Sequence, residues 1–351
     1  MKRFFYCLFF ISFPLTFLTA QTDQEFLKYF KKVKTIQLDE KAPIKVILQL
    51  DVDKSGQILV SDVGGETFLF SPDGKLIKGL NSDECSPGMK WKLPRAAFLK
   101  SGEILKYDFL QQAVLFKNNG SCLKKSNSKN FGSTFFSSFL DGSVIYYNSF
   151  NMKDISPFTI CDKDGKELIK FGTILKEFPN ASIYLSSKGG MTVDDNDIIY
   201  QAFFNNAQIN KYDRTGKFLG SIFRKPDRYI LLRNDMPKID INRAKANDQQ
   251  YVAEMDKYFV EYTYVDALYI LDNSLIMLAY TYKEETGLQI FNTGGNYLLN
   301  NDLKLDKKTR IGTAKNGCLY FISKPDIKNY NDNSSNYNPR IEVYKYIGKT
   351  H

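Results

Sequence analysis

Residues 54–79 read KSGQILVSDVGGETFLFSPDGKLIKG, and the fold follows from this stretch. Gly56 precedes the apolar run Ile58-Leu59-Val60, which closes on Ser61-Asp62. Phe70 then stands four residues before Gly74, within Ser71-Pro72-Asp73-Gly74-Lys75. β-Branched and aromatic residues alternate along the strands, and Gly or Asp-Gly falls where a tight turn needs positive φ. The pattern predicts four antiparallel strands over 46–51, 57–62, 67–70 and 76–79.

Both signals recur in order along the chain. The first reappears as SGEILKYD (101–108), DGSVIYYN (141–148), DNDIIYQA (195–202), DNSLIMLA (272–279) and NGCLYFIS (316–323). The second, an aromatic four residues before Gly, reappears as Phe116/Gly120, Tyr212/Gly216, Phe291/Gly295 and Tyr344/Gly348. The third repeat has Ile160 and Gly165 instead, with one extra residue between them. Spacings of about 40–54 residues for most units match a propeller blade and not a helical solenoid. The expectation is an all-β, six-bladed β-propeller of four-stranded blades. The sixth repeat lacks a fourth strand, and 33–38 is an orphan strand before the first. Pairing of 33–38 with 340–346 would close the ring. A short helix over 23–32, with Phe26, Leu27 and Phe30 on one face, leads into it.

Residues 1–20 read as a secretory signal peptide. Lys2 and Arg3 precede the apolar run Phe4–Phe13, and Leu18-Thr19-Ala20 supplies a small residue before Gln21. The domain organisation is therefore a signal over 1–20 and a propeller over 21–351, secreted, periplasmic or at the cell surface. No cysteine follows the cut, which argues against a lipid anchor, and no later stretch is apolar enough to span a membrane. Two insertions interrupt the repeats: 225–263, read as partly helical, and 323–339, a polar Asn/Ser loop.

Composition removes several chemistries. The 351-residue chain has one histidine, His351, so histidine-dependent triads and histidine zinc sites are excluded. Formal charge is +9, or +7 without Lys2 and Arg3, spread along the chain, which does not point to nucleic acid. Four cysteines follow the signal: Cys85, Cys122, Cys161 and Cys318. Export permits disulfides, but a domain of this size does not need them, and isolated buried thiols are the expectation.

Asp51, Asp53, Ser55, Gly56 and Asp62 have the spacing of a calcium loop, but strands flank them, and the reading is a hairpin turn. A column six residues after each first anchor holds Asp62, Asp108, Asn148, Ala202, Ala279 and Ser323. Its polar half, Asp62, Asp108 and Asn148, is the candidate set for calcium, the sole cofactor considered; turn capping is the simpler role. Arg95, Tyr107, Tyr147 and Tyr200 lie beside that column and are candidate ligand contacts, against core packing. The helical insertion adds Tyr251, Tyr258, Tyr262 and Tyr264, and the polar loop adds Tyr330 and Tyr337. A cleft between the polar first half and a roofed second half is the expected binding face.

The repeats resemble the NHL-type six-bladed propellers of secreted bacterial proteins. Ser86-Pro87-Gly88-Met89 followed by Pro94 looks like that family's inter-blade linker. Ile58–Asp62 and Phe70–Ile77 match its strand and turn. The resemblance implies fold and export more strongly than activity. Six-bladed lactonases and lyases carry acidic or histidine metal ligands at the channel, and without histidine only a carboxylate/amide calcium site remains. Two functions follow as expectations. One is a non-catalytic binding or scaffold propeller for a protein, peptide or glycan. The other is a calcium-dependent hydrolase or lactonase.

Overall fold

The computed structural model describes residues 24–91, 94–108, 113–126, 136–147, 158–172, 189–203, 207–230, 250, 262–283, 285–305, 309–323 and 339–348. The signal, most of 225–263 (with Tyr251 and Tyr258), nearly all of 323–339 (with Tyr330 and Tyr337) and Asn148 lie outside the described residues.

The Gly and Asx positions of the repeats are hairpin turns. Asp53 Oδ1 accepts hydrogen bonds from the Ser55 and Gln57 N–H groups at 2.9 and 2.8 Å, and Gly56 sits at φ +88°. Asp194 holds the fourth repeat's first turn in the same way, through Asn196 and Ile198. Short carboxylates that bond their own backbone make such turns and tolerate left-handed geometry. The calcium-loop spacing at 51–62 is thus a capped turn.

Six four-stranded antiparallel sheets follow. Blade 1 comprises Ile47–Val52, Ile58–Asp62, Thr67–Phe70 and Leu76–Gly79. Blade 2 comprises Arg95–Phe98, Ile104–Tyr107, Ala113–Phe116 and Cys122–Ser126. Blade 3 comprises Phe136–Ser138, Val144–Tyr147, Phe158–Cys161 and Glu167–Phe171, and blade 4 Gly190–Val193, Ile199–Ala202, Gln208–Tyr212 and Phe218–Phe223. Blade 5 comprises Tyr264–Asp272, Leu275–Tyr282, Glu285–Asn292 and Leu303–Leu305. Blade 6 takes Thr309–Lys315, Cys318–Ser323 and Arg340–Tyr346 from one end of the chain and Phe30–Gln37 from the other. The molecule is an all-β, six-bladed propeller.

Phe30–Gln37 runs antiparallel to Arg340–Tyr346, from Phe30 opposite Tyr346 to Gln37 opposite Arg340. The helix before it, Gln24–Tyr29, is shorter than the sequence suggests, because Phe30 already begins the strand. Phe26 and Phe30 are both fully buried and stack at 4.7 Å, against Phe321, Tyr344 and Tyr346. Leu27, expected on the same face, points outward instead.

The core fills the spaces between blades. The cluster of Ile58, Val60, Phe68 and Phe70 with Tyr320, Ile322, Ile341 and Val343 joins blade 1 to blade 6. That of Leu105, Tyr107 and Leu115 with Val144, Tyr146 and Cys161 joins blade 2 to blade 3. Cys161 lies four residues before Gly165, where other blades place an aromatic, which explains the third repeat's irregular spacing; its buried thiol is not in a disulfide and donates to the Tyr146 hydroxyl at 3.7 Å.

The expectation of four isolated thiols is corrected. Cys85, in the linker after blade 1, is disulfide-bonded to Cys122, which opens the outer strand of blade 2. Their Cα atoms lie 5.9 Å apart, a separation a disulfide spans without backbone movement.

Candidate functional site: the central channel

The first strand of each blade faces the propeller axis. Together these strands line a channel of about 750 Å³, a volume in the range of small-molecule sites. Inner strands touch between blades 1 and 2, 3 and 4, 4 and 5, 5 and 6, and 6 and 1. The interblade core joins 2 to 3. Blades 1 and 4 are therefore opposite, as are blades 2 and 5.

Strand register defines the levels of the wall. The fourth residue of the second strand pairs with Gln49 in blade 1, Arg95 in blade 2 and Gly190 in blade 4, and the fifth residue, which faces the next blade in the same way, pairs with Ala267 in blade 5 and Arg310 in blade 6. These five residues form one ring, at the end of the channel where the inner strands begin. Three inner strands carry a bulge near it, between Ile47 and Gln49, Val265 and Ala267, and Ile311 and Thr313. Bulges re-aim side chains, and here the extra residues Leu48, Asp266 and Gly312 all line the channel. Gly190 is a fixed choice: a Cβ there would lie 2.2 Å from the Leu268 backbone nitrogen.

Arg95 hydrogen-bonds the Tyr107 hydroxyl, and Tyr107 packs edge-on to Phe136 with ring centroids 5.0 Å apart. Desolvation pushes the Tyr107 phenol up to about 12 despite the nearby guanidinium, so it stays a neutral donor. On the opposite blade, Asp266 accepts a hydrogen bond from the Thr281 hydroxyl, with Tyr269 beside it. Desolvation also raises the Tyr269 pKa. Arg310 donates to the Ile47 and Leu48 carbonyls at 3.0 and 2.8 Å and so ties blade 6 to blade 1.

The other end of the channel is spanned by charge. Lys100 of blade 2 lies 3.0 Å from the Asp195 carboxylate of blade 4 and donates to the Asp194 carbonyl at 2.7 Å. Lys54 of blade 1 reaches Asp195 at 3.8 Å, and Asn273 of blade 5 hydrogen-bonds it. Burial raises the Asp195 pKa, but the Lys100 hydrogen bond and charge outweigh it, and the carboxyl titrates below its ordinary value. Because blades 1 and 4 are opposite, this bridge crosses the axis.

No protein-family model matches the chain, and no curated protein matches it in sequence. Solved structures do match in fold. A Bacteroides fragilis NCTC 9343 protein named as exported shares 9% identity at a TM-score of 0.58, over 91% of this chain and 96% of its own. A member of the DUF4221 family from Bacteroides vulgatus shares 11% identity at a TM-score of 0.58, over 92% and 99%. A streptogramin B lyase structure superposes at a TM-score of 0.48 with 9% identity, over 91% and 98%. The likeness is one of fold.

Of the residues expected from sequence, Arg95 and Tyr107 line the channel. Tyr147 and Tyr200 are not channel-lining. Tyr147 packs on Phe158 at 5.6 Å, and Tyr200 is buried with its hydroxyl on Asp194 at 3.1 Å. The Asp62 carboxylate accepts from the backbone N–H groups of Lys45, Val46 and Gly64, a turn cap. Asp108 is buried beside it in the sequence column but off the channel wall. Among the described residues no three His, Cys, Asp or Glu side chains gather in a metal-sized group.

The column itself is out of register. Asp197, at φ +60°, holds the turn position of Gly56, so the true counterpart of Asp62 in blade 4 is Phe203. In blade 5 it is Tyr280. Ala202 and Ala279 belong one level further in and are buried in the blade packing. The small second half that they suggested is therefore filled.

The start of the first insertion is anchored. Asp302 is buried and accepts from Arg224 at 2.6 Å, Tyr280 at 2.7 Å, Tyr297 at 2.6 Å and the Asp227 N–H at 2.8 Å. Arg224 also stacks 3.8 Å from the Tyr297 ring. This hub holds 224–227 against blade 5, at the end where the inner strands begin.

Proposed function

We propose that this chain is an exported, non-catalytic binding propeller that takes a peptide or glycan, free or as part of a protein, in its central channel. The carrying observation is the asymmetry of the channel. Arg95, Tyr107, Tyr269, Gln49 and Asp266 stand at one end, and the Lys54/Lys100–Asp195 bridge spans the other. Such a wall, which mixes apolar surface with fixed polar and charged groups, suits recognition of a small ligand or a chain end. The Cys85–Cys122 disulfide supports an oxidising compartment, as do the signal-like segment 1–20 and the name of one fold neighbour.

The metal-dependent hydrolase has less support, because Asp62 already caps three backbone N–H groups. The test is thermal shift of the mature protein against a panel of peptides and oligosaccharides, with calcium and EDTA in parallel. A saturable shift from an organic ligand, lost in Arg95→Ala, is expected, with no response to calcium or EDTA. A stoichiometric calcium ion whose removal lowers the melting temperature would overturn the reading in favour of the enzyme. Intact mass of the exported form, expected to begin at Gln21, tests the compartment.

A further inference from the structure

We infer that the outer strand of blade 4, Phe218–Phe223, pairs with the same strand of a second copy, so that two molecules join edge to edge about a twofold axis. This does not depend on what the channel binds.

Among the described residues, the outer strand of each blade has no neighbour on its far side. Such edges invite pairing with another chain, and charged side chains, lysine above all, guard against it. Blade 1 carries Lys78 in its outer strand, blade 2 Lys124 and Lys125, blade 3 Lys170, blade 5 Lys304, and blade 6 Lys31, Lys32 and Lys34. Blade 4 carries no charge there: its strand reads Phe218-Leu219-Gly220-Ser221-Ile222-Phe223. A bulge shifts the register of the outer strand at the same place in blades 1 to 4, so it does not set blade 4 apart. Apolar exposure does. Phe223 and Phe218, 58% and 54% exposed, are the most exposed large apolar side chains among the described residues, and Leu219 is exposed beside them.

Alternation decides which partner fits. Ile222 is buried, near Gly295 of blade 5, and Gly220 shares its side of the sheet. Leu219, Ser221 and Phe223 are exposed on the other side. An antiparallel pair with its twofold axis at Ser221 sets Leu219 opposite Phe223 of the copy, and Gly220 opposite Ile222, each twice. Every pair then joins like faces, the exposed apolar side chains cover one another, and no charge within the strand meets its like. The same operation on any other blade would bring lysines together. The chain carries a formal net charge of +9, so two copies repel at long range, and the uncharged edge is where contact costs least. Pairing uses up both edges, so assembly stops at two.

Sedimentation equilibrium of the mature protein is the experiment. A monomer–dimer equilibrium is expected, and it should tighten as salt screens the repulsion between copies. Phe223→Lys, which gives this edge the lysine that the others carry, should weaken the dimer about thirtyfold, through loss of both Leu219–Phe223 pairs and the added like charges. The position is exposed, so the variant's melting curve should match the parent's. In a Cys318→Ser background, Ser221→Cys should form a covalent dimer on oxidation, because residues directly opposite in antiparallel strands lie within disulfide reach. Leu168→Cys, at an exposed position in the outer strand of blade 3, should not. A parent that sediments as a monomer at every concentration would overturn the inference. So would a dimer that salt dissociates, one that folded Phe223→Lys leaves intact, or cross-linking of Leu168→Cys as readily as Ser221→Cys.

Discussion

A Phe26→Ala/Phe30→Ala double variant should lose most of the propeller's stability, with no cooperative melting transition above 37 °C. Both rings are fully buried and stacked on each other, and they reach Phe321, Tyr344 and Tyr346 in blade 6. Truncating a buried Phe costs about 3–5 kcal/mol, and because the two rings touch the losses do not simply add, so the pair removes roughly 5–10 kcal/mol. Whole domains have only about 5–15 kcal/mol to lose. The location raises the effect further. These residues fix Phe30–Gln37 as the outer strand of a blade whose other three strands come from the far end of the chain. Releasing it would expose the edge of Arg340–Tyr346. Leu27→Ala, at an outward-facing position in the same helix, is the control and should stay within about 0.5 kcal/mol of the parent. A double variant melting within a few degrees of the parent would show that the terminal strand contributes little to the ring.

The blades were legible because their second and third strands repeat. Ile58–Asp62 and Ile104–Tyr107 read as short apolar runs since both faces pack against neighbouring blades, and their turns need Gly or Asx. The channel wall was far less legible. Gln49, Arg95, Gly190, Ala267 and Arg310 occupy one ring, yet only Arg95 and Arg310 share a residue type, because that position meets the channel and not a repeated packing surface. Only pairing brings them together. Asp266 was hidden further, since a bulge carries it there and alternation alone would turn it away. The column of Asp62 to Ser323 failed by one residue because Asn196 resembles a turn anchor while Asp197 holds the positive φ. The disulfide was open for a different reason: four cysteines allow three pairings, and spacing does not choose among them. Arg95 and Arg310 do fall at matching positions, each seven residues before its repeat's turn glycine, Gly102 and Gly317, in the strand that precedes the recurring signal.

Replacing Lys106 by Met should stabilise the fold near neutral pH, and the gain should shrink as the solution becomes alkaline. Lys106 lies in the second strand of blade 2 and is buried, with its ammonium 4.6 Å from the Trp91 ring. Desolvation lowers its pKa from 10.5 to about 8, against the opposing charges of Glu66 and Asp108. A folded pKa below the unfolded value means that the unfolded chain holds more protons between pH 8 and 10.5, so stability rises with pH across that window. Below it the cost is present in full, on the order of 3 kcal/mol. Buried tyrosines set the upper limit of the measurement. Tyr107, Tyr269, Tyr280 and Tyr297 have raised pKa values, so above about pH 10 the unfolded chain loses protons first and stability falls. Urea denaturation at pH 7.5 and 9.5 therefore isolates the lysine. The Met variant should exceed the parent at pH 7.5, less about 1 kcal/mol for the lost cation–π contact. Its advantage should decline by about 2 kcal/mol at pH 9.5. An advantage that does not change with pH would mean that the Met side chain gains by packing alone and that the Lys106 ammonium reaches water in solution.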